Sequence, residues 1–439
     1  MTRALTFVLF LLFTTSQAFA QESGKAASSS AAPSITALKV GKLFDSENGK
    51  FLDNQVIVIT GNVITQVGSN IPLPANAKVI DLTKFTVLPG LIDCHTHITG
   101  QPENFYVDIF RRSSIDVAIE SHIYTERTLE AGFTACRNLG SHDFVDVALR
   151  NSINAGKTIG PRLYVSGPYI GSTGSHGDLN GFAPQVHIEQ ENGVADGVDG
   201  VRKRVRRNIK YGADVIKFGA TAGVLSEEES VGAPQYSQEE MNAIVAEATL
   251  WGKRVAAHAH GTEGINMAIK AGVASIEHGS FLNEESIRLM KEKGTYLVAD
   301  IYNDDFILAE FAKLGFPEKI LEKERLVGKT QRENFQKAAK AGVKVAYGTD
   351  AGVYPHGDNA KQFFYMVKYG LTPVQALQSA TINAADLIGV KEKLGSITKG
   401  KFADIIAVSG NVEQDITVLE KKVVFVMKDG KVYFDKTNK

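Results

Sequence analysis

The chain of 439 residues carries 48 Lys+Arg against 49 Asp+Glu, 44% apolar residues and two cysteines. That composition excludes a disordered tail, a collagen-like repeat and a disulfide scaffold, and a formal net charge of −1 gives no general attraction for nucleic acid or anionic lipid. The length exceeds a usual domain of roughly 100–200 residues, so one large core with an added part, or two to three domains, is expected.

In chain order, residues 5–13 form a largely apolar run, interrupted only by Thr6, preceded by Arg3 and followed by Ala18-Phe19-Ala20. Such a run is too short for a hydrocarbon core, which needs about 20 residues, and reads instead as a bacterial secretory signal over 1–20. A Ser/Ala-rich flexible lead-in over 21–34 follows. The expected location is therefore periplasmic or secreted, with no membrane anchor after cleavage. Residues 35–87 show short β-like runs at 37–40, 55–60, 63–67 and 78–82, and the pattern returns at 404–408, 423–428 and 431–434, around the turns Gly61-Asn62 and Asp429-Gly430. Hairpin-rich ends around a different middle predict one small β domain assembled from 35–87 and 390–439.

The middle, 88–389, repeats an amphipathic helix, a glycine and a short apolar run. Gly132, Gly212, Gly252, Gly272, Gly294 and Gly342 each stand between helix and run, where glycine adopts the left-handed helix-ending conformation cheaply. Continuous apolar runs joined by helices indicate a parallel sheet. With 87–93 and 162–167 there are eight runs, which predicts a (β/α)₈ barrel. Cys94 and Cys136 fall inside such runs and are read as two free buried thiols.

The polar residues of these runs come at their C-terminal ends: His95 and His97 after run one, Lys217 in run four, His258 in run five, His278 in run six and Asp350 in run eight. In a barrel that end is where catalytic groups converge. His95 and His97 are two apart on a strand and point the same way, so both imidazoles can reach one cation. His258 and His278 supply nitrogens to a second, and Asp350 can ligate and accept a proton from water. An ammonium at Lys217 beside two cations would be repelled, whereas a CO₂-derived carbamate would bridge them. Taken alone, Lys217 also suits a salt-bridged core lysine or a Schiff-base nucleophile, and Asp350 a helix cap.

The sequence resembles the metal-dependent amidohydrolase superfamily in Leu88-Pro89-Gly90-Leu91-Ile92-Asp93-Cys94-His95-Thr96-His97, Ile216-Lys217, Glu277-His278-Gly279, Gly348-Thr349-Asp350, Ala380-Thr381-Ile382-Asn383-Ala384-Ala385, and Gly395-Ser396-Ile397 with Gly400-Lys401-Phe402-Ala403-Asp404-Ile405. The resemblance implies a distorted (β/α)₈ TIM barrel with a small β-sandwich domain formed from both termini. It implies two divalent metal ions, expected to be Zn²⁺, held by His95, His97, carboxylated Lys217, His258, His278 and Asp350. Lys217 followed by His258-Ala259-His260-Gly261 is similar to the Xaa-Pro dipeptidase-like carboxypeptidases and to the amidohydrolases that cleave ochratoxin A to ochratoxin α and phenylalanine. The implied reaction cleaves the amide bond of an N-acyl amino acid or dipeptide through a metal-bridging hydroxide. Asp350 then moves the proton, His142 donates to the oxyanion, and His260, His176 and Tyr302 contact a small-molecule substrate. A homo-oligomer is expected.

His122, His187 and His356 default to structural or surface roles. The Gly-rich stretch 172–200 suits a lid or a disordered loop equally. Val201, Val205 and Ile209 at spacing four make Arg202-Lys203-Arg204 and Arg206-Arg207 the solvated face of a helix, and Glu227-Glu228-Glu229 reads as a surface loop or helix start. A cyclic-amide or imidazolone hydrolase of the same superfamily, and a non-catalytic metal- or ligand-binding relic, are the competing readings.

Overall fold

A computed structural model describes residues 33–438 apart from 182, 184, 186–192 and 229. The signal segment 1–20, most of the lead-in 21–34, His187 and Glu229 lie outside the described residues. Four strands rich in Val, Ile, Leu and Phe come first: β1 (Ile35–Asp45), β2 (Lys50–Thr60), β3 (Val63–Gly68) and β4 (Lys78–Pro89). Seven follow in the middle: β5 (Leu91–Thr96), β6 (Phe133–Asn138), β7 (Arg162–Val165), β8 (Val215–Gly219), β9 (Arg254–Ala259), β10 (Ser275–His278) and β11 (Tyr296–Val298). The last three are β12 (Ile405–Val408), β13 (Val423–Lys428) and β14 (Lys431–Asp435).

The two ends share one seven-stranded sheet ordered β14-β13-β12-β4-β1-β2-β3. β12 joins them by pairing antiparallel with β4, from Ile405↔Pro89 to Val408↔Thr86. Because side chains alternate along a strand, Leu38, Val40, Ile57, Ile59, Ile405, Phe425 and Met427 gather in one buried cluster. Ile406 and Val426, on the opposite face, enter the main core. The expected sandwich strands are thus hydrogen-bonded into a single mixed sheet.

Residues 87–93, expected as one barrel run, are divided at Gly90. β4 ends at Pro89 in the terminal sheet and β5 begins at Leu91 in the central one. The hydrogen-bond partners change with it: Gly90 N–H donates to Asp404 O at 2.8 Å, and Leu91 N–H to Gly132 O at 3.0 Å. A Cβ at Gly90 would lie 2.1 Å from Thr134 Oγ1 and 2.8 Å from its Cβ. Thr134 is buried and β-branched, so it has little room to give way. Gly90→Ala is expected to destabilise the fold by about 1–3 kcal/mol. A urea midpoint that does not move would show that Thr134 can yield.

The central strands are parallel, in the orders β5-β6-β7 and β8-β9-β10-β11. Isolated bridges link Ile170 to Phe218, Leu297 to Val345 and Thr96 to Ala351, so hydrogen bonding runs from β5 round to residues 343–351 and back. Residues 343–350, expected as the eighth strand, make bridges and single hydrogen bonds instead of a ladder. Cys94 N–H donates to Tyr347 O at 2.8 Å, and Asp350 N–H to His95 O at 2.8 Å.

Helices lie between the strands, and the glycine stops act as expected: Gly272 (φ 98°) and Gly294 (φ 72°) end helices Thr262–Ala271 and Glu284–Lys293 in the left-handed region. The basic helix is Gly197–Lys210, with Val201 and Val205 buried and Arg206 outside, paired to Glu247 at 2.8 Å. It takes the last residues of the stretch 172–200, from whose described part Val194 bridges to Gly171 just before it. Cys94 and Cys136 are free and buried. Among the described residues no helix is long and apolar enough to cross a membrane.

Candidate active site

The central strands bring the polar residues of their C-terminal ends together. His95 on β5 is fully enclosed, and its Nε2 lies 3.2 Å from Asp350 Oδ1 and 3.4 Å from Lys217 Nζ. His97, the next residue on the same side, brings its Nε2 to 3.1 Å from the same Asp350 oxygen and keeps about a third of its side chain open to solvent (35%). Lys217 rises from the centre of β8, opposite Ala256 of β9, with its Nζ 5.7 Å from the Tyr169 ring centre. His258 is the next-to-last residue of β9 and His278 the last of the neighbouring β10, and their rings lie 4.6 Å apart.

Donor atoms of His95, His278 and Asp350 fall within 4.8 Å of one another, as do those of His258, His260 and His278. All six expected metal ligands therefore belong to one connected cluster. His278 (φ 66°) and Asp350 (φ 58°) both adopt left-handed backbone, which costs a non-glycine residue energy. At each point the chain turns sharply just as the side chain enters the site.

The remaining expected residues divide. His260 is buried beside His278, rings stacked at 4.7 Å, and its Nδ1 meets Ser280 Oγ at 2.8 Å. His176 stacks on His258 at 4.2 Å. Gly223 makes that contact possible, since a Cβ there would lie 2.7 Å from His176 Nδ1 and 2.8 Å from His258 Nε2. His142 sits exposed in the turn His142–Phe144, two residues after Gly140, whose absent Cβ would approach His97 Cε1 to 3.2 Å. Tyr302 lies outside the histidine cluster, against Tyr354 and Tyr365, and its hydroxyl accepts from Lys361 Nζ at 3.3 Å. His122 is exposed on a helix. His356 is buried, and its Nε2 approaches His97 O at 3.2 Å and Gly100 O at 3.0 Å, steadying the turn that presents His97.

Sequence reasoning missed the partners of the histidines. His95 Nδ1 is 3.1 Å from Glu277 Oε2, and Glu277 Oε1 accepts from Arg137 Nη2 at 2.8 Å. His278 Nδ1 is 3.0 Å from Asp300 Oδ1, which also accepts from Gln331 Nε2 at 2.9 Å, while Asp300 Oδ2 accepts from Asn303 Nδ2 at 2.7 Å. Glu277 had a signal in its place beside His278. Asp300 and Gln331 had none.

Burial dominates the electrostatics. It holds His95, His258 and His260 well below the usual histidine range, with Lys217 and the neighbouring imidazoles adding to the effect, and takes His176 down to about 3. Burial acts the same way on His278, but the charge and hydrogen bond of Asp300, with Asp350, outweigh it and raise this residue. Lys217 is brought down to about 8 by desolvation, so near neutral pH part of it is a free amine.

These residues fit divalent cations. His95 has Glu277 Oε2 3.1 Å from its Nδ1 and presents its Nε2 to Asp350 Oδ1 at 3.2 Å, and its Nδ1 and the Glu277 Oε2 are buried without a hydrogen bond. Asp350 Oδ1, His258 Nε2 and His176 Nδ1 are buried without a hydrogen bond. Electron-rich atoms so close together call for a positive charge between them.

The chain matches the amidohydrolase family over residues 86–433. It is 35% identical over 427 residues to an ochratoxinase of Aspergillus niger, covering 91% of this chain and 86% of that protein. Among solved structures it is similar to a Xaa-Pro dipeptidase with methionine bound in its active site (42% identity, TM-score 0.87, covering 91% of this chain and 100% of the other). It is also similar to a prolidase complexed with N-methylphosphonate-L-proline (33% identity, TM-score 0.85, covering 92% and 100%). With a match over most of its length and a cluster of the expected residues at its strand ends, the chain belongs to the amidohydrolase family and is a hydrolase of amide bonds.

Proposed function

We propose that this enzyme removes the C-terminal amino acid from N-acyl amino acids or dipeptides, using two divalent ions, expected to be zinc, and a carboxylated Lys217. The observation that carries the proposal is the meeting of His95 Nε2 and His97 Nε2 at one Asp350 oxygen, 3.2 and 3.1 Å away, with Lys217 Nζ 3.4 Å from His95. The amino-acid and proline-analogue ligands of the dipeptidase and prolidase relatives, and the ochratoxinase, support the substrate class. The circuit of hydrogen bonds through β5–β11 and residues 343–351 supports a distorted (β/α)₈ barrel over 88–389, and the shared terminal sheet supports one β domain built from 35–87 and 390–439.

His95, His97 and Asp350 would hold one ion, His258 and His278 the other, with the Lys217 carbamate between them. Bound there, the ions would make water nucleophilic near neutral pH and polarise the scissile carbonyl. Asp350 takes the proton of the attacking water on its carboxylate and returns it to the leaving amine nitrogen. His142, exposed in the turn after β6, donates to the developing oxyanion. In this reading His260, buried and 2.8 Å from Ser280 Oγ, binds the substrate's free carboxylate, and His176 and Tyr302 contact the rest of the substrate.

Mass spectrometry of products from N-acyl-Phe, Xaa-Pro and cyclic-amide substrates tests this reading: free amino acid is expected, and ring-opened products alone would overturn it. His260→Ala is expected to raise KM for free-acid substrates by about 10-fold, the loss of roughly one charge-assisted hydrogen bond, with esterified substrates little changed. Equal losses on acid and ester would remove His260 from carboxylate recognition. Export through residues 1–20 and self-association belong to the same proposal, the latter supported by Ile115, Ile119 and Ile123, spaced four apart and exposed along helix Ser114–Glu130.

A further inference from the structure

Two ligand histidines are held by carboxylates of different kinds. Behind His95, Glu277 is completely buried, reached by Arg137 Nη2 at 2.8 Å and by the Ser275 hydroxyl. Arg137 is itself buried and fully engaged: its Nε donates to Cys94 O at 2.5 Å and its Nη1 to Ser275 Oγ at 3.1 Å. The guanidinium thereby ties β6 to β10 and to the peptide just before His95. Behind His278, Asp300 receives only neutral donors, Gln331 Nε2 at 2.9 Å and Asn303 Nδ2 at 2.7 Å.

A buried arginine and glutamate inside a ring of strands bear a large desolvation cost, and apolar side chains would fill the space without it. Neither group reaches the space between the histidines, so the pair does not act on substrate. What it does is direct one oxygen, Glu277 Oε2, at His95 Nδ1 from 3.1 Å. At that distance the carboxylate's negative charge favours the Nδ1–H form, the form that leaves Nε2 free to bind. Asp300 does the same for His278 from a separate element, the segment after β11.

We infer that Arg137 and Glu277 are positioning residues for the ion held by His95 and His97, and Asp300 for the ion held by His258 and His278, so that each carboxylate sets the affinity of one metal position. The inference rests on the two-ion reading above. Losing such a hydrogen-bonded carboxylate costs about 10–100-fold in metal affinity. The metal-free chain would be titrated with Zn²⁺ in bicarbonate against a competing chelator, with elemental analysis of bound zinc. Wild type is expected to show two binding steps.

Glu277→Gln should weaken one step 10–100-fold and Asp300→Asn the other. His97→Ala should abolish the step that Glu277→Gln weakens, and His258→Ala the step that Asp300→Asn weakens. Melting curves of the metal-free variants that superpose on wild type separate positioning from a general loss of structure. Should Glu277→Gln fail to fold, Ser275→Ala, which removes a neutral donor to the same carboxylate and the acceptor of Arg137 Nη1, must weaken the same step. An unchanged pair of steps in these variants, or both steps weakened alike by either carboxylate, would overturn the inference while leaving the two-ion reading intact. A wild-type chain that binds no zinc would overturn both.

Discussion

Lys217→Ala is expected to lower kcat by about 10³-fold or more and to strip bound metal from the protein. The side chain leaves the middle of β8 and is buried, with its Nζ 3.4 Å from His95 Nε2 and no carboxylate within ion-pairing distance among the described contacts. Desolvation holds it down to about 8. A buried amine so placed contributes little as a cation, and as a carbamate it would supply two of the oxygens that the surrounding imidazoles do not. Removing it takes away the bridge, and a loss of about 4 kcal/mol in the transition state is already 10³-fold. Lys217→Met, which preserves volume and deletes only the amine, should fail equally, so that a cavity cannot explain the result. Full retention of zinc in either variant, measured by elemental analysis, would contradict the bridging role.

Asp350→Asn should reduce kcat by about 10²–10⁴-fold, the range spanned by general acid–base groups, with a far smaller change in KM. The substitution is a clean probe because Asp350 stands at φ 58°, and Asn is among the few residues that accept that backbone. Its N–H bond to His95 O at 2.8 Å persists whatever the side chain is. The amide keeps the size of the carboxylate and one acceptor oxygen, but it cannot take up the proton of water and hand it to the leaving nitrogen. A variant retaining more than about a tenth of wild-type kcat would place the proton transfer elsewhere, and Glu277 and Asp300 are too enclosed by their own donors to take it over.

The clustering of these polar residues was legible in the chain because a strand's local pattern carries it. An apolar run that ends in His95-Thr96-His97, or that contains Lys217, states both the element and its direction, since side chains alternate and the interrupting polar residue comes at the exit. The helix stops at Gly272 and Gly294 were legible for the same local reason. So were most of the terminal strands, whose short alternating runs and glycine turns are set by neighbours in sequence.

Contacts between distant segments were not. Arg137 meets Glu277 across 140 positions of sequence, and Asp300 and Gln331 join at His278 from two further elements. Arg137 in particular lies within an apolar run and carries no mark that it reaches inward. The break at Gly90 escaped notice because Val87 through Asp93 reads as one run, and only the change of hydrogen-bond partner from Asp404 to Gly132 divides it. The eighth run similarly failed to become a strand because close packing against His95 and Val298 at Gly348, and the left-handed turn at Asp350, bend it away from a regular ladder.

By itself, then, the sequence determined which side chains would meet and what chemistry they could support, because those properties follow from residue type, strand periodicity and the direction of the chain. Tertiary structure alone decided which carboxylate stands behind His95 and which behind His278, and how the two ends of the chain share a sheet. Each of these depends on atoms a few ångströms apart in space and tens to hundreds of residues apart in sequence, where no local pattern reaches.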